Sequence, residues 1–430
     1  MTPGARIAAA VEVLDDIEAR RRPAGDALKD WGLGHRFAGS KDRAAIATLV
    51  FDALRRRASS AYVMAEETSR AIMLGALRLA RGVSLEEISA LCSGQGHALS
   101  PLLESEAGRL AALDLAGAPL HVAGDFPEWL EPSFVAVFGE AAVEEARALA
   151  ARAPLDLRVN TLKATHEKAL ASLAHLRPEP TPFSPVGLRL PLTADGRGAA
   201  LAAEPAYVKG LVEIQDEASQ LAALLAAAKP GEQALDLCAG AGGKTLALAA
   251  AMGNKGQVYA SDADGRRLAP IHARLERAGV RNVQVRPQRA GADLLADLEG
   301  RCDLVVVDAP CTGTGTWRRN PDAKWRVRPG ALEQRIGDQD RALADAARFV
   351  KPRGRMLYVT CSILREENED RLAAFLAGHD DFTSVPAREM AEAADLSELA
   401  VFASRFGYGL RLTPYASATD GFFVAMLARR

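Results

Sequence analysis

The sequence predicts an α/β fold in which a parallel sheet follows an all-helical amino-terminal domain. Up to about residue 115, apolar residues recur at three- and four-residue spacing, as in "KDRAAIATLVFDALRRR", which is the period of an α-helix. From about residue 205, short apolar and β-branched runs alternate with helical segments, a pattern typical of a parallel sheet with helices on both faces. The length of 430 residues exceeds what one hydrophobic core usually supports, so two or more domains are expected.

Changes in composition predict the domain boundaries. The helical domain is predicted to span residues 1–126 and to end in the Pro- and Gly-bearing stretch "LAGAPLHVAGDFPEWLEP". Residues 127–204 are predicted to form a linking α/β subdomain, because "PLDLRVNTLKATHEKALASLA" has the pattern of a strand and then a helix. Residues 205–430 are predicted to form the sheet domain.

The sheet domain contains a series of short apolar runs that we predict to be its strands. In order they are "ALDLC", "QVYASD", "VQVRP", "DLVVVDAP" and "RMLYVTCS", with "TDGFFVAMLARR" as the closing strand. Ligands of such sheets bind outside the carboxyl ends of the parallel strands. The motifs that follow these strands are therefore the candidates for a functional site.

Composition excludes several other classes of protein. Hydrophobic residues make up 49% of the chain and charged residues 25%, which is ordinary for a soluble globular protein. No apolar run reaches the length of a membrane span, and the start of the chain lacks the apolar segment of a secretory signal, so a cytoplasmic location is expected. The five cysteines are few, odd in number and scattered, which argues against a disulfide framework, and their spacing fits no zinc site, so no metal is expected.

The glycine-rich stretch "DLCAGAGGKT" resembles a phosphate-binding loop but fails both nucleotide patterns. A P-loop needs a glycine five residues before its Gly-Lys pair, and that position is Cys238. The dinucleotide pattern starting at Gly240 and Gly242 needs a glycine where the chain has Thr245. The glycines still permit a tight turn and the close approach of a ligand, and a helix that begins near Lys244 would present its amino terminus to a carboxylate or phosphate.

An acidic residue is placed to complete this site. Asp262 lies twenty residues beyond Gly242, at the end of the next predicted strand, where a carboxylate can accept hydrogen bonds from ribose hydroxyls. An adenosine-containing cofactor is therefore indicated, and S-adenosylmethionine fits better than a dinucleotide because both diphosphate patterns fail. The alternatives are a tight turn with no ligand and, for Asp262, a solvated carboxylate.

Two thiols follow two consecutive strands. Asp308 and Cys311 come just after one strand, and Cys361 comes just after the next. If these strands are neighbours, both thiols and the carboxylate converge on one cleft beside the glycine-rich loop. The alternative for a single cysteine at a strand end is a buried small hydrophobic residue.

Methylation of a pyrimidine carbon requires this set of groups. Cytosine C5 becomes nucleophilic only after a thiolate adds to C6, a carboxyl group such as Asp308 can protonate or hydrogen-bond N3, and a second base must remove the C5 proton. Residues 313–330 carry five basic residues against the single Asp322, with two tryptophans interleaved. We predict that this loop contacts nucleic acid, the alternative being a solvated charged loop with two packed tryptophans.

The motifs resemble those of the RNA cytosine-5 methyltransferases of the Sun, Nol1 and Nop2 group. The matching stretches, which occur in family order over roughly residues 127–430, are "EIQDEASQ", "DLCAGAGGKT", "DAPCTGTGTWRRNPDAKW", "TCSILREENED" and "DGFFVAML". The amino-terminal helices resemble the NusB-like RNA-binding domain found in bacterial enzymes of this group that act on 16S ribosomal RNA. The resemblance implies a Rossmann-like class I S-adenosylmethionine methyltransferase domain preceded by an all-helical NusB-like domain.

The resemblance also implies roles for individual residues. Cys361 in "TCS" corresponds to the nucleophile that forms a covalent adduct with cytosine C6, and Cys311 in "APC" to the residue that resolves the adduct. The implied substrate is RNA, most simply 16S ribosomal RNA, with tRNA or another ribosomal site, or an idle RNA-binding assembly factor, as alternatives. The residues that correspond to the family's contacts with S-adenosylmethionine are Cys238, Ala239, Gly240, Ala241, Gly242, Gly243, Lys244, Asp262 and Asp308.

One departure from the family pattern affects the adenine end of the cofactor site. The family usually has an acidic residue after the third strand, where this chain has Gln288 and Arg289. Asp293 lies further on, and we assign it no role. The first motif has "GAG" where the family has "APG", a change that leaves the turn possible.

Overall fold

The computed structural model describes residues 1–192, 200–288 and 293–430. It divides into two compact units, one formed by Met1–Arg152 with Trp317–Arg328 and the other by Ala153–Thr316 with Pro329–Arg430. The predicted boundary at residue 126 falls inside the first unit. Each unit has its own hydrophobic core.

The first unit is helical, as the apolar periodicity predicts. Its helices before residue 152 are α1 (Pro3–Arg20), α2 (Ala24–Gly34), α3 (Ser40–Arg55), α4 (Arg57–Met64), α5 (Ser69–Leu79), α6 (Leu85–Leu91), α7 (Glu104–Ala112), α8 (Leu120–Ala123), α9 (Glu131–Phe138) and α10 (Ala142–Ala150). Side-chain caps fix several helix starts: Thr2 accepts from the Ala5 amide, and Ser84 forms a capping box with Glu87. The apolar faces of α1, α3 and α5 form the core around Ile46, a residue that has no exposed surface.

The basic segment 317–328 belongs to this helical unit, and five of its twelve residues are buried. Trp317, Arg318 and Lys324 are each at most 5% exposed, and Trp325 Nε1 donates to the carbonyl oxygen of Leu54 at 2.7 Å. The prediction that this whole loop contacts nucleic acid is therefore wrong. Charge and aromatic content alone cannot distinguish a solvated loop from a segment that packs into helices.

Helix α17 (Pro321–Arg326) organises that segment. Asp322 accepts from the Ala24 amide at 3.2 Å and from Arg326 at 3.0 Å, which ties α17 to the start of α2. Burial lowers the pKa of the Lys324 ammonium to about 7.

The second unit contains a small antiparallel sheet that precedes the main one. Its strands are β1 (Leu155–Val159), β2 (Glu179–Pro180), β3 (Gly187–Leu190) and β4 (Val212–Ile214), in the order β2-β3-β1-β4, and its helices are α11 (His166–Ser172) and α12 (Pro205–Val208). Strand β1 followed by α11 confirms the predicted strand and helix after residue 153. The buried carboxylate of Asp156 accepts two hydrogen bonds from Arg189 on the neighbouring strand.

The main sheet confirms every predicted strand. Its members are β5 (Gln233–Asp236), β6 (Gln257–Ala260), β7 (Val283–Val285), β8 (Cys302–Asp308), β9 (Val350–Thr360), β10 (Phe382–Ser384), β11 (Leu410–Leu412) and β12 (Phe422–Arg429). The order is β10-β12-β9-β8-β5-β6-β7, with β11 paired to β12. Strands β5 to β9 pair in parallel, whereas β12 is antiparallel to β9.

Helices cover both faces of this sheet. They are α13 (Glu217–Leu224), α14 (Gly243–Ala251), α15 (Gly265–Leu268), α16 (Ile271–Ala278), α18 (Pro329–Phe349), α19 (Glu369–Gly378), α20 (Ala387–Ala393) and α21 (Pro414–Ser417). Successive residues of β8, such as Leu304 and Val305, pack into different clusters and have no exposed surface, as expected for a strand buried on both faces. The chain order reverses between β5 and β8, which makes the carboxyl ends of these two strands the place where such folds bind ligands.

Candidate active site

The glycine-rich loop lies between β5 and α14 and depends on its glycines. Gly242 has φ of +85°, and a Cβ there would lie 2.5 Å from Ile271 Cγ1, so a larger residue would both strain the backbone and collide with the core. Gly240 has φ of +50°. Helix α14 begins at Gly243, close to the predicted position.

Asp262 follows β6 and holds this loop in place. Its Oδ2 accepts from the Gly240 amide at 2.8 Å, and its Oδ1 accepts from the Asp264 amide at 2.8 Å. The residue is 3% exposed. Each carboxylate oxygen can accept a second hydrogen bond, so these backbone contacts leave acceptor capacity for a ligand hydroxyl.

A second buried acid, Asp236, ends β5 beneath the same loop and was missed in the sequence analysis. Its Oδ2 accepts from the Thr245 hydroxyl at 2.6 Å, whereas its buried Oδ1 has no hydrogen-bond partner among the described residues. Burial raises the pKa of Asp236 to about 7. The sequence "DLC" at the end of this strand was the only sign of a functional acid at position 236. A carboxylate in an apolar strand is equally consistent with a structural role.

Lys244 points to the carboxyl end of β8. Its ammonium group lies 2.7 Å from Asp308 Oδ2 and 5.3 Å from the ring centroid of Phe422. Lys244 is buried, while the Asp308 side chain is 35% exposed. The structure thus joins two predicted cofactor residues in an ion pair whose carboxylate reaches solvent.

The two predicted cysteines meet. Strands β8 and β9 are parallel neighbours, with Asp308 opposite Val359. Cys311 Sγ and Cys361 Sγ are 3.3 Å apart, and both residues are half-buried free thiols. The hydrogen bond with Cys361, burial and the nearby Glu367 charge all raise the pKa of Cys311 well above its usual range.

Buried polar groups join the loops that carry the two thiols. Thr314 Oγ1 lies 3.0 Å from Ser362 Oγ and accepts from the Ile363 amide at 3.0 Å. The Gly315 amide donates to the carbonyl oxygen of Cys361 at 2.9 Å. These bonds fix the Cys311 loop against the Cys361 loop.

Other expectations concern residues outside this cluster. Asp293 pairs with Arg348 at 2.8 Å, and Gln288 is exposed. Arg289 lies outside the described residues.

Among the described residues no group of three or more His, Cys, Asp and Glu side chains could hold a metal ion. In the same part of the chain no helix is long and apolar enough to cross a membrane.

This strand order, with a glycine-rich loop after the central strand, is that of a Rossmann-like domain of the kind found in methyltransferases. Comparison with known proteins then gives the family. Residues 222–428 match the family described as 16S rRNA methyltransferase RsmB/F, and residues 126–195 match the ferredoxin-like domain of RsmF/B-like methyltransferases.

Individual proteins agree with this match. The probable ribosomal RNA small subunit methyltransferase B of Synechocystis sp. is 32% identical over 71% of this chain and 67% of its own length. The ribosomal RNA small subunit methyltransferase B of Sodalis glossinidius is 36% identical over 70% of this chain and 65% of its own length. The crystal structure of PH0851 is similar with a TM-score of 0.73 at 26% identity and covers 99% of both chains.

The chain therefore belongs to the RsmB/F methyltransferase family, which confirms the family that the motifs predict. The matched region spans about two thirds of the length of the two curated relatives.

Proposed function

We propose that the protein methylates C5 of a cytosine in 16S ribosomal RNA, with S-adenosylmethionine as methyl donor and a covalent bond between Cys361 and cytosine C6. The observation that carries the proposal is the pair of thiols 3.3 Å apart at the ends of two adjacent strands, next to the strand that bears the glycine-rich loop. The names of the relatives, which act on small-subunit ribosomal RNA, support the substrate.

The residues around the glycine-rich loop fit S-adenosylmethionine. Asp262 is placed to accept from ribose hydroxyls, and the amino end of α14 favours the cofactor's carboxylate. The unpartnered Oδ1 of Asp236 fits a donor such as the cofactor's amino group. When bound, the cofactor supplies an electrophilic methyl group.

The environment of the thiols supports Cys361 as the nucleophile. The raised pKa of Cys311 keeps that residue as a neutral thiol, which makes Cys311 the poorer nucleophile of the pair and so favours Cys361 in that role. Once the Cys361 sulfur becomes a neutral thioether, its negative charge no longer acts on Cys311. The pKa of Cys311 then falls, and Cys311 becomes available as a base when the adduct must be resolved.

The steps on the RNA base follow from these assignments. The Cys361 thiolate adds to C6 and pushes electron density to C5, which takes the methyl group. Cys311 releases its own proton to solvent and then removes the C5 proton. The electrons of the C5–H bond restore the C5–C6 double bond, the bond from sulfur to C6 breaks to return the Cys361 thiolate, and N3 returns its proton to solvent.

Asp308 is suited to the opposite side of the base. When C6 is attacked, N3 takes a proton from solvent, and the resulting N–H donates to the Asp308 carboxylate. Lys244, 2.7 Å from Asp308, fixes the orientation of that carboxylate. This interaction strengthens as the adduct forms and so lowers the barrier to it.

Bisulfite mapping of 5-methylcytosine in ribosomal and transfer RNA, from cells with and without the gene, tests the proposal. Loss of one 16S site on deletion is the expected result. Loss of a tRNA site instead would support the same reaction on tRNA and contradict 16S ribosomal RNA as the substrate. No change in either pool, together with no methyl transfer by the purified protein to 16S RNA, would contradict the proposal and favour an assembly factor.

A further inference from the structure

Glu367 is a fully buried acid that contacts the Cys311 loop but is neither a predicted site residue nor part of the reaction steps above. It ends a short 3-10 helix, Arg365–Glu367, that follows Cys361. Its Oε1 accepts from the Thr312 amide at 2.8 Å, and its Oε2 accepts from the Thr312 hydroxyl at 2.5 Å. One carboxylate therefore holds the residue next to Cys311 by both its backbone and its side chain.

Gln339 of α18 completes this arrangement from the other side. Its Nε2 donates to Glu367 Oε1 at 3.0 Å and to the carbonyl oxygen of Pro310 at 2.9 Å. Gln339 has no exposed surface. Residues 310 and 312, on either side of Cys311, are thus both bound to the Glu367–Gln339 pair.

Glu367 also contributes charge at this position. The groups that raise the pKa of Cys311 are Cys361 and Glu367, together with burial, while Gln339 is uncharged. Burial likewise raises the pKa of Glu367, although its hydrogen bonds with Thr312 and Gln339 favour the ionised form. The hydroxyl of Tyr358 donates to the Glu367 carbonyl oxygen at 2.7 Å. Burial raises the pKa of Tyr358, and the other charged groups that act on it, besides Glu367 and Cys311, are Arg371 and Asp340.

We propose that Glu367 is a positioning residue that fixes the Cys311 loop and, through its negative charge, keeps the shared proton of the thiol pair on Cys311. The role of Glu367 in catalysis rests on the proposed function, whereas its effect on the two thiols does not. Two cysteines 3.3 Å apart compete for one proton, and a fixed anion beside one of them decides which sulfur is the thiolate. Glu367 would thereby make the two cysteines chemically unequal before RNA binds.

The pH dependence of alkylation tests this directly. Purified full-length protein is treated briefly with iodoacetamide between about pH 6 and about pH 10, and modification of Cys311 and of Cys361 is read by peptide mass spectrometry. In the wild type, Cys361 should react faster than Cys311. In Glu367→Gln, which retains shape and hydrogen-bonding capacity but loses the charge, the ratio of the two rates should fall by about tenfold.

Control variants separate charge from structure. Asp370→Asn removes a carboxylate three residues away that pairs with exposed Arg365, and it should retain the wild-type ratio. Thr312→Val removes one hydrogen bond to Glu367 but no charge, and Glu367→Asp retains the charge, so both should also keep Cys361 the faster thiol. An unchanged ratio in Glu367→Gln, or an equal fall in Asp370→Asn, would overturn the proposal.

The catalytic consequence is measured separately. With 16S RNA, Glu367→Gln should lower kcat for methylation by about tenfold and leave the Kd for S-adenosylmethionine unchanged. If the wild type methylates no cytosine while the alkylation ratio still depends on Glu367, the proposed function fails and this inference stands. If methylation proceeds and the ratio does not depend on Glu367, the inference fails alone.

Discussion

Two buried acids lie beneath the two halves of the site, and they differ in how they are satisfied. Asp236, under the glycine-rich loop, has one oxygen bonded to Thr245 and one without a partner among the described residues. Glu367, under the Cys311 loop, has both oxygens bonded, to Thr312 and Gln339. In the half that we assign to the cofactor, one oxygen of Asp236 lacks a partner in the described part of the chain. In the half that carries the thiols, both oxygens of Glu367 are bonded, although the buried Oε1 of Gln339 has no partner among the described residues.

This difference indicates what each half requires. An unpaired buried acceptor is costly unless a ligand donates to it, which supports the proposal that a cofactor binds at the glycine-rich loop. A network with every carboxylate oxygen bonded is rigid, which suits thiols that must be held at a fixed separation. Changes in one half should therefore leave the other half intact.

The largest effect is expected from Gly242→Ala. A Cβ at this position would lie 2.5 Å from Ile271 Cγ1 in a backbone conformation that non-glycine residues rarely adopt, so we expect a loss of about 3 kcal/mol and no measurable binding of S-adenosylmethionine. Thermal unfolding with and without the cofactor measures both the loss of stability and the loss of cofactor binding. At about 100 times its Kd, the cofactor should stabilise the wild type by roughly 2.7 kcal/mol.

Gly265→Ala is the matched control, because a Cβ there meets open space. It should bind the cofactor like the wild type. If Gly242→Ala also changed the relative alkylation rates of Cys311 and Cys361, the independence of the two halves of the site would be contradicted.

A smaller effect is expected from Thr314→Val in the thiol half. The isosteric change removes the hydroxyl that bonds to Ser362 and accepts from the Ile363 amide, leaving buried partners unpaired at a cost of about 2 kcal/mol. Denaturant unfolding measures the loss, and titration with S-adenosylmethionine should show an unchanged Kd. Thr383→Val on the exposed edge strand β10 is the control and should have little effect on stability.

The smallest expected effect is a pH dependence of the free energy of unfolding that arises from Asp236. Since burial raises its pKa to about 7, the folded state retains a proton that the unfolded state loses near pH 4, and stability falls as pH rises through that window. From about pH 6 to about pH 8 the loss should be about 1.4 kcal/mol, and Asp236→Asn should remove it. Unfolding by denaturant at several pH values checks this, and identical pH profiles of the wild type and the variant would count against a protonated Asp236.

The sequence predicts the parts of the site that local pattern determines. The glycine-rich loop, Asp262, Asp308 and the two cysteines each follow a recognisable strand, and parallel strands bring their carboxyl ends to one edge. Asp236 and Glu367 were missed because their role depends on neighbours distant in sequence, such as Gln339 for Glu367.

The prediction that the whole of segment 317–328 contacts nucleic acid was wrong for the same reason. Its arginines and tryptophans read as a nucleic-acid loop, yet Lys324 is buried in the helical unit and only tertiary packing reveals this. Arg326 and Arg328 are exposed, so contact with nucleic acid stays a prediction for these two residues.

The most direct test of the central claim is a denaturing gel of two cysteine variants with 16S RNA and S-adenosylmethionine. Cys311→Ala should accumulate a covalent protein–RNA complex, because the C5 proton is not removed, whereas Cys361→Ala should form neither complex nor product. A complex with Cys361→Ala and none with Cys311→Ala would reverse the two roles. If neither variant formed a complex and Cys361→Ala still methylated RNA, the covalent mechanism would be contradicted.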